Sequence, residues 1–283
     1  MNNVICAIAR NENIYINEWV KHHLKIGFNH IYLYDNNNKT DPFVGDFIDK
    51  DLLDKVTIID YRERRDYKLQ LIAYQNCYDT YDFDWCFYID IDEFLVGVDD
   101  VNEWLSRDYL KDKEQIKVKI NLFGDDDCIE RDMSIPVMDF FKKIINGKNE
   151  HVAVPLNKCL VRGHVKDVSI CSCHFAGHSG WLNPLITCTP NGQLCEKGAY
   201  DMHIDPPDSY EGETIFLNHY QTKTLKEFLD QKYGLVWVLM PFSKRGIEYY
   251  WYYNDKTPEK LAYIEKYLAE HNLPLIDNGE KLC

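Results

Sequence analysis

Short apolar runs alternate with segments of helical periodicity over the first third of the chain. The runs predicted to be strands are residues 4–9, 30–34, 55–60 and 85–89. Apolar residues recur at helical spacing over 16–24 and 69–77, each between two of these runs. A strand–helix–strand order favours parallel pairing with the helix as the crossover. The chain is therefore predicted to have an α/β fold, with a mostly parallel, Rossmann-like sheet flanked by helices.

The second half of the chain is less regular. Further strands are predicted at 115–123, 157–162, 168–175 and 214–220. Between 177 and 212 the chain is rich in Gly, Pro, Cys, Asn and Asp with little periodicity, which predicts a long excursion. A capping-box pattern from Thr224 to Glu227 predicts the start of a helix, and a terminal helix is predicted to begin near Pro258.

Composition limits the possible binding partners and the possible cellular compartment of the protein. With 32 basic and 46 acidic residues, the formal net charge of −14 repels a polyanion, so we expect no nucleic-acid partner. No early stretch has the pattern of a secretory signal, and no apolar run nears the ~20 residues that span a bilayer. The ten cysteines are scattered. These features predict a cytoplasmic protein with reduced thiols.

One apolar run ends in carboxylates without a turn residue. The stretch is Asp82-Phe-Asp-Trp-Cys-Phe-Tyr-Ile-Asp-Ile-Asp-Glu-Phe-Leu95, with Asp90 and Asp92 directly after the fourth predicted strand. Ligands of open parallel sheets bind beyond the carboxyl ends of the strands. Carboxylate oxygens suit Mg²⁺ or Mn²⁺, which commonly take one or two of them together with substrate phosphates. The alternative is a polar strand end followed by an acidic helix start.

Polar residues also follow the other predicted strands. Asn11 and Glu12 come after the first strand and Asp35 after the second, where they could hydrogen-bond a base and a ribose. The basic patch Arg62, Arg64 and Arg65 follows the third strand and could contact a diphosphate. Ordinary loop polarity and a solvated charged loop are the alternatives. The chain has neither a GxGxxG nor a GxxxxGK[ST] motif, so the usual glycine-rich phosphate loops are excluded.

Cysteine and histidine residues in the second half of the chain are further candidate metal ligands. Cys171-Ser-Cys-His174, with Cys188 and Cys195, lacks the paired spacing of a zinc site. His219 closes the predicted strand 214–220, where its imidazole could bind manganese or fill a polar pocket. No GxSxG elbow supports nucleophilic hydrolysis.

Several motifs occur in a fixed order along the chain. They are R-N-E at 10–12, W-V-K-H-H at 19–23, I-Y-L-Y-D-N-N at 31–37, Q-x-x-x-Y-x-x-C at 70–77, W-x-x-x-I-D-I-D-E-F at 85–94 and N-H-Y-x-x-K-T-x-x-E-F at 218–228. This order resembles the nucleotide-sugar-dependent glycosyltransferases of the GT-A fold, and it is closest to the group related to families 2 and 92. The resemblance covers 3–96 well and 157–234 in pieces. It implies a GT-A-like sheet with an irregular acceptor-side region and C-terminal helices.

The resemblance also implies roles for individual residues. Asp90 and Asp92 match the D-x-D that holds manganese against the donor diphosphate, and His219 matches a third metal ligand, so the expected cofactor is Mn²⁺ or Mg²⁺. Two arginines of the basic patch, Arg62 and Arg65, are among the residues expected to bind the donor. The full set is Arg10, Asn11, Glu12, Asp35, Arg62, Arg65, Gln70, Asp90, Lys158 and Lys223.

The acceptor hydroxyl needs a general base, usually a carboxylate in inverting members of this fold. Asp125, Asp126 and Asp127 follow a predicted strand and are the candidate bases, with an acidic turn as the alternative. Sequences similar to family 92 tend to have a small polar residue after this Phe-Gly, so the acidic triplet departs from the pattern.

These residues predict a metal-dependent glycosyltransferase. We expect it to transfer a hexose from a nucleotide diphosphate sugar, most simply a UDP-sugar, to a glycan or lipid-linked saccharide, with inversion and at the inner face of a membrane. The predicted domains are a catalytic domain over 1–235, with 1–96 as its nucleotide-binding half and 97–235 as its acceptor half, and an aromatic, helical extension over 236–283. The oligomeric state is left open.

Two other functions compete with this one. A nucleotidyltransferase of similar fold needs a glycine-rich basic loop after the first strand, where this chain has R-N-E-N. A non-catalytic glycan-binding module would use aromatic residues such as the run Tyr249–Tyr253, and it would need no metal.

Overall fold

The computed structural model describes residues 1–146, 156–178, 183–195, 212–235 and 245–276. They divide into two compact units, which are described separately. The first unit comprises 1–120 and 155–218, and the second comprises 121–154 and 219–283.

Strands and helices alternate as far as the fourth strand, as predicted, and a short turn then leads to the fifth strand. The strands are β1 (Asn3–Ala9), β2 (His30–Asp35), β3 (Val56–Asp60), β4 (Trp85–Tyr88), β5 (Glu93–Val96), β6 (Gln115–Leu122), β7 (Asn157–Arg162), β8 (Val168–Ile170), β9 (Ala176–His178), β10 (Asn183–Pro184), β11 (Thr187–Cys188) and β12 (Phe216–His219). The α-helices are α1 (Asn13–Lys25), α2 (Leu69–Thr80), α3 (Val101–Leu105), α4 (Val137–Phe140), α5 (Leu225–Gln231), α6 (Ile247–Tyr253) and α7 (Pro258–Glu270). Three short 3₁₀ helices span Val44–Phe47, Lys50–Lys55 and Asp108–Leu110.

The main sheet confirms the predicted fold class. Within the described residues it has nine strands in the order β3-β2-β1-β4-β7-β6-β12-β5, with β11 paired to β6. The four strands β3, β2, β1 and β4 are parallel to one another, whereas β7 runs antiparallel to both β4 and β6. A second sheet of three strands, β10-β9-β8, is antiparallel. Four parallel strands therefore end at the same edge, which we call the carboxyl edge.

The core of the first unit lies where α2 packs on the sheet. Apolar side chains from α2 and from β1, β4 and β7 form one cluster, and four of its cysteines, Cys6, Cys77, Cys86 and Cys159, are fully buried. Burial raises the pKa of the Cys6 thiol to about 11. The nine cysteines that the structure describes are free thiols. The cysteines of this core act as small apolar residues.

One predicted strand is shorter than the sequence pattern indicates. The run 168–175 is a strand only as far as Ile170. Ser172 then forms a turn, in which its N–H donates to the Phe175 carbonyl and its hydroxyl accepts from the N–H groups of His174 and Phe175. Side-chain hydrogen bonds of this kind compete with a strand ladder, and the pattern of apolar residues does not reveal them.

The core of the second unit is formed by α5, α6 and α7. Thr224 and Glu227 form the predicted capping box at the start of α5, and Pro258 begins α7 as predicted. The aromatic run Tyr249–Tyr253 falls in α6, where Tyr249 and Tyr250 are buried and Tyr252 is exposed. This run is therefore in part core, which weakens its interpretation as a glycan-stacking surface.

Several predictions fall partly outside the described residues. Of the excursion 177–212, residues 179–182 and 196–211 lie outside them, and the remainder contains β10 and β11. Residues 236–244 also lie outside them, so the predicted division at 235 stays a prediction. In the described part of the chain, no helix combines the length and apolar character needed to cross a bilayer.

Gly97 and Gly212 have nearly the same left-handed φ but differ in the space around them, so substitutions there distinguish backbone strain from steric crowding. Gly97 has φ +80° and Gly212 has φ +79°, but a Cβ on Gly97 would lie 1.8 Å from the Thr214 carbonyl oxygen, whereas none of the described atoms lies within 4 Å of one on Gly212. We expect Gly212→Ala to lower the free energy of unfolding by about 1 kcal/mol through left-handed strain. Gly97→Ala should cost at least ~2 kcal/mol more because the backbone must move. Equal losses in urea unfolding would show that Thr214 does not approach Gly97 this closely.

The second unit contains a buried ion pair whose contribution depends on pH. Arg131 Nε donates to both carboxylate oxygens of Glu227 at 3.0 and 3.1 Å, and the two side chains are only 2% and 6% exposed. Burial alone would raise the pKa of Glu227, but the hydrogen bonds and the charge of Arg131 outweigh it and lower the pKa below the usual 4.5.

We expect Glu227→Gln to lower the free energy of unfolding by about 3 kcal/mol at pH 7. Because the pKa is lower in the folded state, this difference from wild type is fully present above pH 4.5 and is lost as the pH falls through the folded-state pKa. The measurement is chemical denaturation from pH 7 to pH 3. Glu270→Gln, which removes an exposed pair with Lys266, is the control and should show no such trend. A constant difference across the range would contradict the lowered pKa of Glu227.

Candidate active site

The segments that follow β1, β2, β3 and β4 lie at the carboxyl edge of the sheet. Ala9 of β1 is level with Asp35 of β2, and Asp35 is level with Asp60 of β3. Tyr88 of β4 pairs with Cys6, so β4 ends at the same edge. The segments after these strands are therefore neighbours, as the sequence predicts for a parallel sheet.

Two asparagines hold these loops together. The Asn36 amide donates to the carbonyls of Tyr61 and Arg64, both at 2.9 Å. The Asn37 side chain accepts from the Asn11 N–H at 2.8 Å. Both asparagines are almost completely buried, at 3% and 1% exposure. In the sequence, the run at 36–38 has the composition of a polar turn. Its position between two apolar runs was the available signal, and the partners could not be named because they lie on other loops.

Asp35 is fully buried beneath this framework. One of its carboxylate oxygens accepts from the backbone N–H and the amide of Asn37, at 3.0 and 2.8 Å. The other oxygen lies 3.5 Å from the Val44 N–H. In this arrangement Asp35 orders the loop after β2, and its predicted contact with a nucleotide stays a prediction.

Cationic side chains surround the same edge. Burial and then the nearby charge of Arg65 lower the pKa of Arg10, which is partly buried. Arg65 donates to the Arg64 carbonyl and to Asn38 Oδ1, each at 2.6 Å. Arg62 instead pairs with the exposed Asp60 at 3.1 Å. The guanidinium groups of Arg10 and Arg65 repel each other, and such a pair is suited to bind an anion.

Asn11 and Glu12 connect this edge to α1. Asn11 has a left-handed backbone with φ +59°, and Glu12 precedes the first residue of α1. The left-handed residue lets the chain turn directly from β1 into the helix.

The Asp90–Glu93 turn joins β4 to β5 and is fixed on several sides. The Glu93 carboxylate accepts from the Asp90 N–H at 2.9 Å. Asp90 accepts from the Gln70 amide at 2.8 Å and from Lys158 Nζ at 2.7 Å. Lys158 also lies 3.2 Å from the Glu93 carboxylate. The turn therefore holds two carboxylates around one ammonium group.

Lys158 is the centre of this cluster. Its side chain is 3% exposed, that of Glu93 is fully buried, and that of Asp90 is 32% exposed. Burial alone would lower the pKa of Lys158, but the carboxylates of Asp90 and Glu93 raise it well above its ordinary value. Lys158 is thus charged, and the charge is directed at the turn. Its predicted contact with the donor phosphate stays a prediction.

His174 is a neighbour of this cluster that the sequence reasoning considered only for zinc. Its Nδ1 hydrogen-bonds the carbonyl of Asn157, the first residue of β7 and the residue before Lys158. Burial and the charge of Lys158 lower the pKa of His174 to about 4, so the ring is neutral near pH 7. Because a carbonyl only accepts, Nδ1 carries the proton and Nε2 is an acceptor.

The donor set fits a divalent cation that takes few ligands from the protein. Asp90, Asp92 and Glu93 supply three carboxylates against the one ammonium of Lys158, and Asp92 is 3% exposed. Within the described residues, no three His, Cys, Asp or Glu side chains come together as a complete metal site. Mg²⁺ and Mn²⁺ commonly use one or two carboxylates and fill the other positions with phosphate oxygens and water. The predicted ligands Asp90 and Asp92 suit that mode.

The other predicted site residues lie in the second unit. His219 and Lys223 are buried there, at 9% and 2% exposure. The carboxylate of Asp125 is held by the Tyr250 hydroxyl and by Lys260, within a buried group. Their roles in the site stay predictions.

Asp126 and Asp127 differ from Asp125. Asp126 accepts from the backbone N–H groups of Lys142 and Lys143, at 2.7 and 3.0 Å. Asp127 forms an exposed pair with Lys143 at 3.0 Å. Of the three candidate bases, Asp127 has the most exposed side chain, at 57%, while Asp125 is the most enclosed, at 3%.

Comparison with known proteins identifies the family. The model of glycosyltransferase family 92 matches residues 5–180, which include Asp90, Asp92 and Lys158. The chain belongs to glycosyltransferase family 92.

Likeness to other proteins is limited. No curated protein matches the sequence. A crystal structure of TarS from S. aureus is similar at 11% identity and a TM-score of 0.30, over 44% of this chain and 22% of the TarS chain. A structure of TarS 1–349 is similar at 12% identity and the same TM-score, over 44% of this chain and 36% of that chain. The matched part is thus well under half of either TarS chain, and these partial likenesses carry no functional argument.

Replacing Lys158 tests the charge cluster. Lys158→Met leaves Asp90 and the fully buried Glu93 without this ammonium, so we expect the free energy of unfolding to fall by about 3 kcal/mol in urea denaturation. Lys143→Met is the matched control, because its pair with Asp127 is about half exposed, and it should cost less than ~1 kcal/mol. Similar losses in the two variants would mean that Lys158 does not neutralise the turn.

Proposed function

We propose that this family 92 glycosyltransferase is metal-dependent and transfers a hexose from a UDP-sugar to a glycan or lipid-linked saccharide, with inversion. The observation that carries the proposal is the Asp90–Glu93 turn at the carboxyl end of β4. There Asp90 is held by Lys158 and Gln70, and Asp92 follows on the same turn. A rigid pair of carboxylates at this edge is what a metal–diphosphate site requires.

The departing diphosphate accumulates negative charge as the glycosidic bond breaks. Arg10 and Arg65 lie at the same edge and would stabilise this charge by charge-assisted hydrogen bonds. Asp90 and Asp92 would hold Mn²⁺ or Mg²⁺, which when bound acts as a Lewis acid on the diphosphate. Lys158 neutralises the charge of the Asp90 carboxylate and holds it in place, since it contacts that carboxylate directly.

The nucleoside would lie beyond β1 and β2. Glu12 and Asn11 follow β1, and Gln70 extends from α2 to Asp90 across the same edge. Asp35 and the two asparagines after it would act by ordering the loop that faces the base. Lys223 and His219 belong to the second unit, and their predicted roles stay predictions.

The acceptor hydroxyl must lose a proton during an inverting transfer. Among the predicted bases we favour Asp127, since the carboxylate of Asp125 is already bound to Lys260 and Tyr250 and that of Asp126 accepts two backbone N–H groups. A base needs an oxygen that can reach the substrate, and the Asp127 side chain is 57% exposed.

The geometry favours a glycosyltransferase over a nucleotidyltransferase of similar fold. The chain passes from Ala9 to Asn13, the first residue of α1, through Arg10, Asn11 and Glu12, with no glycine. That connection is too short for a glycine-rich phosphate loop.

The test measures nucleotide binding with and without metal. We expect UDP and a UDP-sugar to raise the melting temperature only when Mn²⁺ is present, since a ligand that binds the folded state alone stabilises it. Asp92→Asn should weaken metal-dependent UDP binding at least ~tenfold by removing one carboxylate ligand. Titration calorimetry gives the affinities.

The matched control is Asp99→Asn, which neutralises an exposed carboxylate just after β5. It should bind UDP and Mn²⁺ as wild type does. If no member of a panel of nucleoside diphosphate sugars binds with Mn²⁺, the metal-dependent proposal is wrong. If Asp92→Asn binds as tightly as Asp99→Asn, the metal assignment of Asp92 is wrong.

A further inference from the structure

Helix α1 contacts the strand that leaves the Asp90–Glu93 turn. Trp19 Nε1–H donates to the carbonyl of Glu93 at 2.9 Å. His22 Nε2 lies 2.7 Å from the carbonyl of Leu95, and the Leu95 N–H points to His23 Nε2 at 3.4 Å. Three side chains of one helix thus meet three backbone groups of β5.

The two histidines must be in opposite tautomers for this to occur. A carbonyl only accepts, so His22 carries its proton on Nε2. His23 Nδ1 lies 2.9 Å from the Trp19 carbonyl and for the same reason carries the proton there, which leaves Nε2 as an acceptor for the Leu95 N–H. One histidine therefore donates to β5 and the other accepts from it.

These contacts take the place of a neighbouring strand. In the order of the described strands β5 comes last, next to β12. The backbone groups of residues i and i+2 in a strand point to the same side, so Glu93 and Leu95 present theirs to one side of β5, where α1 contacts them. Trp19 and His23 are fully buried, so these groups would otherwise lie unsatisfied in a dry environment.

The contacts lie next to the residues that carry the proposed chemistry. Glu93 is both the first residue of β5 and the residue whose carboxylate accepts from the Asp90 N–H. The Glu93 N–H in turn donates to the Asp90 carbonyl at 3.2 Å. Fixing the backbone at Glu93 therefore fixes both ends of the turn on which Asp90 and Asp92 stand.

We propose that Trp19, His22 and His23 are positioning residues, which hold the backbone of β5 and thereby set the geometry of the Asp90–Glu93 turn. They do not touch the substrate. They correspond to the W-V-K-H-H motif of α1, for which the proposed reaction otherwise provides no role. The part of this inference that concerns the metal rests on the proposed function.

The test replaces His22, because it is partly exposed whereas Trp19 and His23 are fully buried. His22→Phe keeps an aromatic ring beside Phe94 but removes the donor, and His22→Gln keeps a donor near the position of Nε2. His22→Leu is a second variant without a donor, for use if His22→Phe does not fold. His30→Leu is the control, since it removes a histidine hydrogen bond to Thr57 at the start of β2, away from the carboxyl edge.

The first readout needs no ligand. Hydrogen exchange of the backbone amides from 90 to 96 is expected to be roughly tenfold faster in His22→Phe and close to wild type in His22→Gln and His30→Leu. The second readout is Mn²⁺ binding measured by electron paramagnetic resonance. Its dissociation constant should rise about tenfold in His22→Phe, as for other residues that orient metal ligands, and recover in His22→Gln.

The outcomes separate the two proposals. If exchange rises at Leu95 but not from 90 to 93, the histidines do not position the turn and the inference is overturned. If exchange rises throughout but the Mn²⁺ affinity stays within twofold of wild type, the functional part of the inference is overturned. If wild type binds no Mn²⁺ while exchange of the turn responds as expected, the metal proposal fails and the positioning role is supported.

Discussion

The ion pairs of Lys158 with Asp90 and Glu93 are the interaction on which the site depends. An ammonium group with 3% exposure is stable only when carboxylates neutralise it, and a fully buried carboxylate has the same requirement. Lys158 belongs to β7, which is antiparallel to β4, so the pair also fixes the register of these two strands. A slip of one residue would turn Lys158 to the other face and leave the charges unpaired.

Much of the first unit could be predicted from the sequence. The apolar runs and helical segments of the first 96 residues have the spacing of parallel strands with crossovers, and β1 to β4 lie within a residue or two of their predicted bounds. The carboxyl edge followed from that order, and with it the proximity of Arg10, Asp35 and Asp90. Local pattern is sufficient here because α1 and α2 are crossovers between parallel strands and the parallel topology allows few alternatives.

The partners of the charged residues could not be predicted in the same way. Lys158 is 68 residues from Asp90, and Lys260 is 135 residues from Asp125. Such pairs are set by which strands and helices become neighbours, and no spacing in the sequence expresses that. Asn36 and Asn37 illustrate the same limit. Asparagines in an exposed polar turn and asparagines that join three loops through buried hydrogen bonds have the same composition. The part of the site that the sequence does not predict is therefore mostly the pairing of residues that are far apart in the chain.

Each unit contains ion pairs that are buried from solvent, besides exposed ones on its surface. Arg131 and Glu227 in the second unit, like Lys158 and Glu93 in the first, join segments that are far apart in the sequence. In a chain with a formal net charge of −14, cations are scarce, and several of them are used inside the protein. An enclosed pair tolerates few rearrangements, because breaking it leaves an unpaired charge. The positions of the loops that carry the candidate bases and ligands are accordingly well determined within each unit.

The contacts of α1 with β5 have a consequence for association between molecules. An edge strand with open N–H and C=O groups can pair with a strand of another chain. At β5 the carbonyls of Glu93 and Leu95 and the N–H of Leu95 are already bound to side chains of a helix that covers them. Among the described strands, the other end of the main sheet is β3, which spans only Val56–Asp60. Growth of this sheet by addition of a foreign strand is therefore blocked at one end and limited to a short strand at the other.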